Sequence, residues 1–251
     1  MHHDLRSQVD RPAVDDTSIL IATPGVQDGW INVTSLPSQE RLATIPNPKD
    51  TNTGMVMAIG LLLTGSQITV LAGYESGHAA TWQQDKASKK WQIEYMNKSH
   101  TQPILSLATT PNHKYFLTSS ADAIIARHSL QDHRSSKTKT LQTKHAGQQS
   151  LMVRSDGMIF ATAGWDGRLR VYSSKGMKEL AVLKWHKEGC YALNFAAITN
   201  FGANSRSEDG GDESIVKREL TVSEQRTAKA TSTHWVAAGS KDGKVSLWDI
   251  Y

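Results

Sequence analysis

Short apolar runs bounded by turn-forming residues recur along the whole chain. Residues 162–174, TAGWDGRLRVYSS, show the unit: a step of small residues, a tight Asp166-Gly167 turn, then alternation. On an extended strand Leu169 and Val171 share one face, and Arg168, Arg170 and Tyr172 share the other. Equivalent turns stand at Asp28-Gly29, Ser76-Gly77, Asp122-Ala123 and Asp242-Gly243, with successive intervals of 48, 46, 44 and 76 residues. A regular interval of this size marks a repeat architecture.

Each turn has an apolar run just before it: SILIA, ITVLAG, YFLTSS, MIFATAG and HWVAAGS. Most units add a run further upstream (GMVMAIGLL, ILSLATT, SLMVRS, YALNFAA) and one after the turn strand (ERLATI, WQIEYM, KTLQTK, KELAVLK). These segments predict a four-stranded antiparallel meander per unit. No segment carries a convincing helical period over three turns. The fold class is therefore all-β. A β-sandwich of hairpins is the competing reading, but its hairpins need not repeat the same side chains at the same offsets. The units fall at about 17–46, 54–98, 100–143, 145–184 and 186–251, after a polar segment at 1–16. Residues 202–232 form a polar insertion without aromatics. This insertion lengthens the last interval and is expected to be mostly disordered, with IVKREL as a possible short helix or docking element.

Polar residues recur at fixed offsets too. His100, His145 and His186 precede the first strand of three units. Asp122, Asp166 and Asp242 hold the turns, and Thr118 and Thr162 stand four residues before the first two of them. Six residues after the turn aspartates come His128, Tyr172 and Trp248. A neutral imidazole donates from one nitrogen and accepts at the other, so a histidine can bridge a carboxylate to a hydroxyl. The expected role is a structural hydrogen-bond network of His100, Thr118, Asp122, His145, Thr162, Asp166, Tyr172, His186, Asp242 and Trp248. A catalytic His-Thr-Asp set is the alternative, but repetition at equivalent positions points to a staple. The network is expected to be uneven: Ala238 replaces threonine in the last unit, the second has Ser76 and no matching histidine, and Arg127 fills an apolar slot in the third. Trp165 stands where other units place Ala121 or Lys241. Two roles are open for it, interface anchor or packing beneath a neighbouring loop.

Composition adds bounds. The 251 residues carry a net charge of +4, too mild to argue for nucleic acid by itself. Lys86, Lys89 and Lys90, and Arg134, Lys137, Lys139 and Lys144, make basic clusters without interleaved stacking aromatics. The single cysteine, Cys190, cannot form an internal disulfide. The N-terminus has no secretory pattern, and the longest apolar run is too short to span a membrane. No motif calls for a cofactor or metal.

A histidine, then roughly 22 residues, then AGSKDGKVSLWD resembles a WD repeat, which implies blades of a β-propeller. Eighteen predicted strands make about four and a half blades of an expected seven. The propeller is thus expected to be partial, either lacking an N-terminal portion or completed by a second chain. GMVMAIGLL, VLAGYESGHAATW, the run from ATAGWDGRLRVYSS through LAVLKWHKEGCYALNFA, and VAAGSKDGKVSLWDIY are similar to the fungal ASTRA-associated protein 1 family; LPSQERLATIP adds a weaker likeness. A more distant likeness is to animal G-protein-β-like proteins. The family likeness implies a non-catalytic scaffold subunit of the nuclear ASTRA complex, linked to chromatin remodelling and to maturation of phosphatidylinositol-3-kinase-related kinases. Implied partners are helical-repeat cochaperone proteins, a kinase-related scaffold and AAA-type helicases, with no direct nucleic acid and no membrane. The implied compartment is the nucleus, with the cytoplasm as a second location. The alternatives are a propeller enzyme and a basic chromatin- or RNA-binding module.

Overall fold

The Asp-Gly turns reverse the chain because glycine tolerates the left-handed backbone they require. Gly77 adopts φ +83°, and a Cβ there would lie 2.3 Å from the His100 carbonyl oxygen. The third unit has Ala123 instead. Its turn is closed by the Asp122 carboxylate, which accepts from the Ile124 amide at 2.9 Å.

The computed structural model describes residues 19–65, 67–85, 88–131, 138–197 and 221–250. They form eighteen strands in five antiparallel sheets. The first sheet contains β1 (Ile19–Pro24), β2 (Ile31–Leu36) and β3 (Glu40–Ile45). The second holds β4 (Val56–Thr64), β5 (Gln67–Tyr74), β6 (His78–Gln84) and β7 (Trp91–Lys98). The third holds β8 (Ile104–Thr109), β9 (Tyr115–Ser120), β10 (Ile124–Ser129) and β11 (Lys139–Gln142). The fourth holds β12 (Gln148–Val153), β13 (Ile159–Gly164), β14 (Arg168–Ser173) and β15 (Glu179–Lys184). Helix α1 (Val222–Ser232) precedes the last two strands of the fifth sheet, whose members are β16 (Cys190–Phe195), β17 (Trp235–Ser240) and β18 (Val245–Asp249). Strand order follows chain order in every sheet.

The sheets stand side by side, with β4, β8, β12 and β16 as consecutive inner neighbours and β1 against β4. This is a propeller-like arc. Its core lies between the sheets because the middle strands of the second, third and fourth sheets bury both faces. Ile31 and Val33 pack on Val70, Ala72 and Trp82; Leu71 and Ala79 on Ile104 and Phe116. Leu117 and Ile125 pack on Leu151, Phe160 and Tyr172, and Leu169 and Val171 on Cys190, Leu193 and Val236. Val245 and Leu247 repeat the Leu169 and Val171 positions on the fifth sheet, yet remain 68% and 65% exposed.

Each inner strand carries a one-residue bulge near its start. Register shifts between Val56 and Ala58, Ile104 and Ser106, Gln148 and Ser150, and Cys190 and Ala192 leave Met57, Leu105, Gln149 and Tyr191 as the extra residues. A bulge bends its strand and re-aims the side chain there.

The 202–232 insertion is expected to be mostly disordered; residues 202–220 lie outside the described residues, and 222–232 are helical. A capping box explains the start: Thr221 accepts from the Glu224 amide, and the Glu224 carboxylate accepts from the Thr221 amide. No residue of α1 is buried, so hydrophobic periodicity carries no trace of it. The Trp235 indole N–H ties the helix to the fifth sheet by donating to the Ala230 carbonyl at 3.1 Å. IVKREL, residues 215–220, lies outside the described residues, as do the segment 1–16 and Lys86, Arg134 and Lys137.

Candidate functional site

The expected polar set assembles most fully in the third sheet. His100 Nδ1 lies 3.1 Å from Asp122 Oδ1, and its Nε2 lies 2.8 Å from Thr118 Oγ1. Thr118 Oγ1 also meets His128 Nε2 at 2.9 Å. His128 Nδ1 meets the Tyr95 hydroxyl at 2.8 Å, and Tyr95 meets Thr138 Oγ1 at 2.6 Å. The carboxylate fixes the direction of the whole relay, because it only accepts. His100 therefore donates to Asp122, Thr118 to His100, His128 to Thr118, Tyr95 to His128 and Thr138 to Tyr95. Both imidazoles must be neutral for this order to hold. Burial does hold His128 down to about 3, with the neighbouring His100 acting in the same direction. His100 is also lowered by burial, against the opposing pull of Asp122. The relay runs from the loop before the sheet to Tyr95 of the preceding one, so it fastens two sheets. The Thr101 amide adds a 2.9 Å bond to the second Asp122 oxygen.

The fourth sheet uses different parts. Thr162 donates to Gln148 Oε1 at 2.5 Å, and Gln148 Nε2 donates to the His145 carbonyl at 2.9 Å. The His145 side chain does not join Asp166; Gln148 holds the bridging place. Asp166 instead takes two hydrogen bonds from Arg170, at 3.2 and 2.6 Å. The reason is steric and electrostatic: Arg170 is fully buried opposite Thr162 and needs a carboxylate. Burial disfavours the Asp166 charge, but Arg170 overcomes it and holds the carboxyl below its ordinary value. Tyr172 stacks on Phe160 at 5.0 Å rather than joining the polar set, and its hydroxyl has no well-formed hydrogen bond. We expect Asp166→Ala to cost about 2 kcal/mol in urea unfolding. That is less than a fully buried pair would lose, because the carboxylate is a third exposed and Glu179 remains 3.9 Å from Arg170. A neutral result would show that Arg170 finds another acceptor.

In the fifth sheet His186 Nε2 meets Ser246 Oγ at 2.7 Å, and the Trp248 indole N–H donates to the same oxygen at 2.9 Å. Ser246 pairs across the ladder with Ala238. The hydroxyl missing at residue 238 is thus supplied by the adjacent strand. Asp242 does not reach the histidine; it accepts from the Lys244 amide at 3.1 Å and leaves His186 Nδ1 without a partner. The second sheet lacks the histidine, and buried Tyr74 accepts from the Trp82 indole at 3.0 Å instead. Gln148, Ser246 and Tyr74 were missed because only one side-chain type was followed at each offset. A cross-strand partner search would have found Ser246.

Arg127, in its apolar slot, reaches sideways to the Ser174 and Lys175 carbonyls and lies 4.8 Å over the Tyr115 ring. Lys139 donates to the Gly176 carbonyl at 3.1 Å. These two cations stitch the third sheet to the fourth. Trp165 sits on the turn between β13 and β14, 44% exposed.

The sequence comparisons fit this architecture. The family model for the WD domain, G-beta repeat, matches residues 91–126, 135–173 and 226–249. ASTRA-associated protein 1 of Verticillium alfalfae is 45% identical over 96% of this chain and 61% of its own length. The Aspergillus niger protein of the same name is 42% identical over 94% of this chain and 62% of its own length. That of Pyricularia oryzae is 35% identical, and the match takes in 96% of this chain and 70% of the relative. The chain belongs to the ASTRA-associated protein 1 family. It spans about three-fifths of the first two relatives. In this member of the ASTRA-associated protein 1 family the WD matches omit the first sheet, most of the second, and strands β15 and β16.

Proposed function

We propose that this chain is a non-catalytic WD-repeat scaffold subunit of the ASTRA complex, acting in the nucleus in chromatin remodelling and in maturation of phosphatidylinositol-3-kinase-related kinases. Its partners are then the other subunits: helical-repeat cochaperone proteins, a kinase-related scaffold and AAA-type helicases. The carrying observation is identity to ASTRA-associated protein 1 relatives across nearly the whole chain. The geometry agrees with a scaffold. His100, Thr118 and Asp122 are ordered as a triad would be, but all three are buried, and the Thr118 oxygen also accepts from His128, so the hydroxyl is closed off from a substrate. Rigid sheets with the polar groups tied inside them suit docking rather than turnover.

Affinity purification of the tagged full-length protein from its own cells, followed by identification of the co-purifying proteins, tests the proposal. ASTRA subunits should be enriched over an untagged control. Their absence would remove the assignment.

A further inference from the structure

We propose that the loops around Trp165 form a docking surface for an acidic peptide segment of a partner protein, with Trp165 as the apolar anchor. This rests on reading the chain as an interaction scaffold, and it names the surface and the chemistry it takes.

Trp165 is half-exposed yet held in place. Its ring lies against Gly147, where a Cβ would stand 2.2 Å from Cε3. Its indole N–H donates to Gln149 Oε1 at 2.8 Å, and its backbone N–H to the Gly147 carbonyl at 2.9 Å. On the other side Gly189 approaches closely, with its Cβ position 3.0 Å from the Trp165 carbonyl oxygen and 3.2 Å from the Tyr191 ring. An aromatic already fixed in one pose loses little freedom when a partner covers it. Gln149 and Tyr191 are the bulge residues of neighbouring inner strands, and Met57 and Leu105 hold the same position on the two before them. Met57 is 41% and Tyr191 46% exposed. One end of four adjacent strands thus presents Met57 and Tyr191 exposed and Leu105 half-buried, and Gln149 on the remaining strand is bonded to the pinned indole.

The charge of the surrounding loops selects the occupant. Lys144, Lys187 and Lys241 are exposed, and the Lys241 amide donates to the Gly189 carbonyl at 2.9 Å. The turn carboxylates are engaged: Asp166 by Arg170, Asp242 by Lys244. Glu188 and the buried Asp122, whose partner His100 is neutral, are the other acids beside Trp165, so the three exposed lysines leave the rim net positive. A positive rim around an apolar anchor complements an acidic chain carrying apolar side chains. Nucleic acid would need a run of aromatic platforms; Trp165 and Tyr191 are aromatic here, but Met57 and Leu105, farther along the strand ends, are aliphatic.

Fluorescence polarisation tests this with short labelled peptides mixing Asp and Glu with Leu and Phe, their Asn and Gln counterparts, and an oligouridylate. The acidic peptides should bind the wild-type protein, and the neutral counterparts about 10-fold more weakly. Trp165→Ala should weaken binding about 10-fold, and the combined change Lys144→Glu, Lys187→Glu, Lys241→Glu at least as much. Leu180→Ser, on an outer strand, should bind as wild type, and unchanged thermal midpoints would show that the variants fold. Equal binding by Trp165→Ala, no acidic peptide bound, or tighter binding of oligouridylate would each overturn the proposal. Affinity purification of the wild type judges the scaffold assignment separately. Recovery of ASTRA subunits without peptide binding keeps the scaffold and removes this surface.

Discussion

Unfolding is expected to become easier by about 3 kcal/mol as the pH falls from 6.5 to 4, through His128 alone. The ring is fully buried and stacked on Phe116, with centroids 4.5 Å apart. Burial keeps it neutral in the folded state down to about pH 3, whereas the unfolded histidine takes its proton near its ordinary 6.5. Between those values the unfolded chain binds more protons, so stability drops as acid is added. The contribution is fully present above 6.5 and is lost progressively toward 3. His100, also lowered by burial against the pull of Asp122, adds to the same trend. Asp156 and Asp166 are held below their ordinary 3.8. Their contribution is present above that value and lost beneath it, so it lies under the histidine window. Urea unfolding at several pH values between 7 and 4 checks the expectation against His128→Gln, which should be less steep. A wild-type stability independent of pH over this range would show that His128 charges freely inside the sheet.

Thr118→Val should destabilise the protein by about 3 kcal/mol, because a single hydroxyl serves two buried imidazoles. Valine keeps the branched shape but leaves His100 Nε2 without a donor and His128 Nε2 without an acceptor. Neither nitrogen has water to turn to, since His100, Thr118 and His128 are all buried. Thr162→Val is the internal comparison. It breaks one bond, to Gln148, and should cost about 1 kcal/mol. Denaturant midpoints at pH 7 separate the two. Equal losses would mean that the relay through Thr118 carries no more than an ordinary hydrogen bond.

The meanders were legible because every strand obeys a local rule. Leu169 and Val171 alternate with Arg170 and Tyr172, and Asp-Gly or Ser-Gly marks the reversals. The staple at His100 was legible for a related reason: its three members lie within one unit at fixed spacing. The staples at His145 and His186 were only half legible. Their pattern positions are kept, but the bonding depends on residues across the ladder. Arg170 opposite Thr162 captures the aspartate, and Ser246 opposite Ala238 supplies the hydroxyl. Strand pairing is a long-range property that offsets along one strand do not contain. Helix α1 escaped because it buries nothing, although Thr221 and Glu224 announced its start. The hold on Trp165 was equally hidden, since it comes from Gly147 in another loop and Gln149 on β12.

The five sheets share a plan but not a fastening. The third is closed by neutral imidazoles, the fourth by a guanidinium on a carboxylate, and the second by an indole on a phenol. Different media should therefore loosen different joints: mild acid the third, stronger acid below 3.8 the fourth as well, neither the second. In a stack where each member touches only its neighbours, the place where opening begins would then follow the medium rather than the chain order.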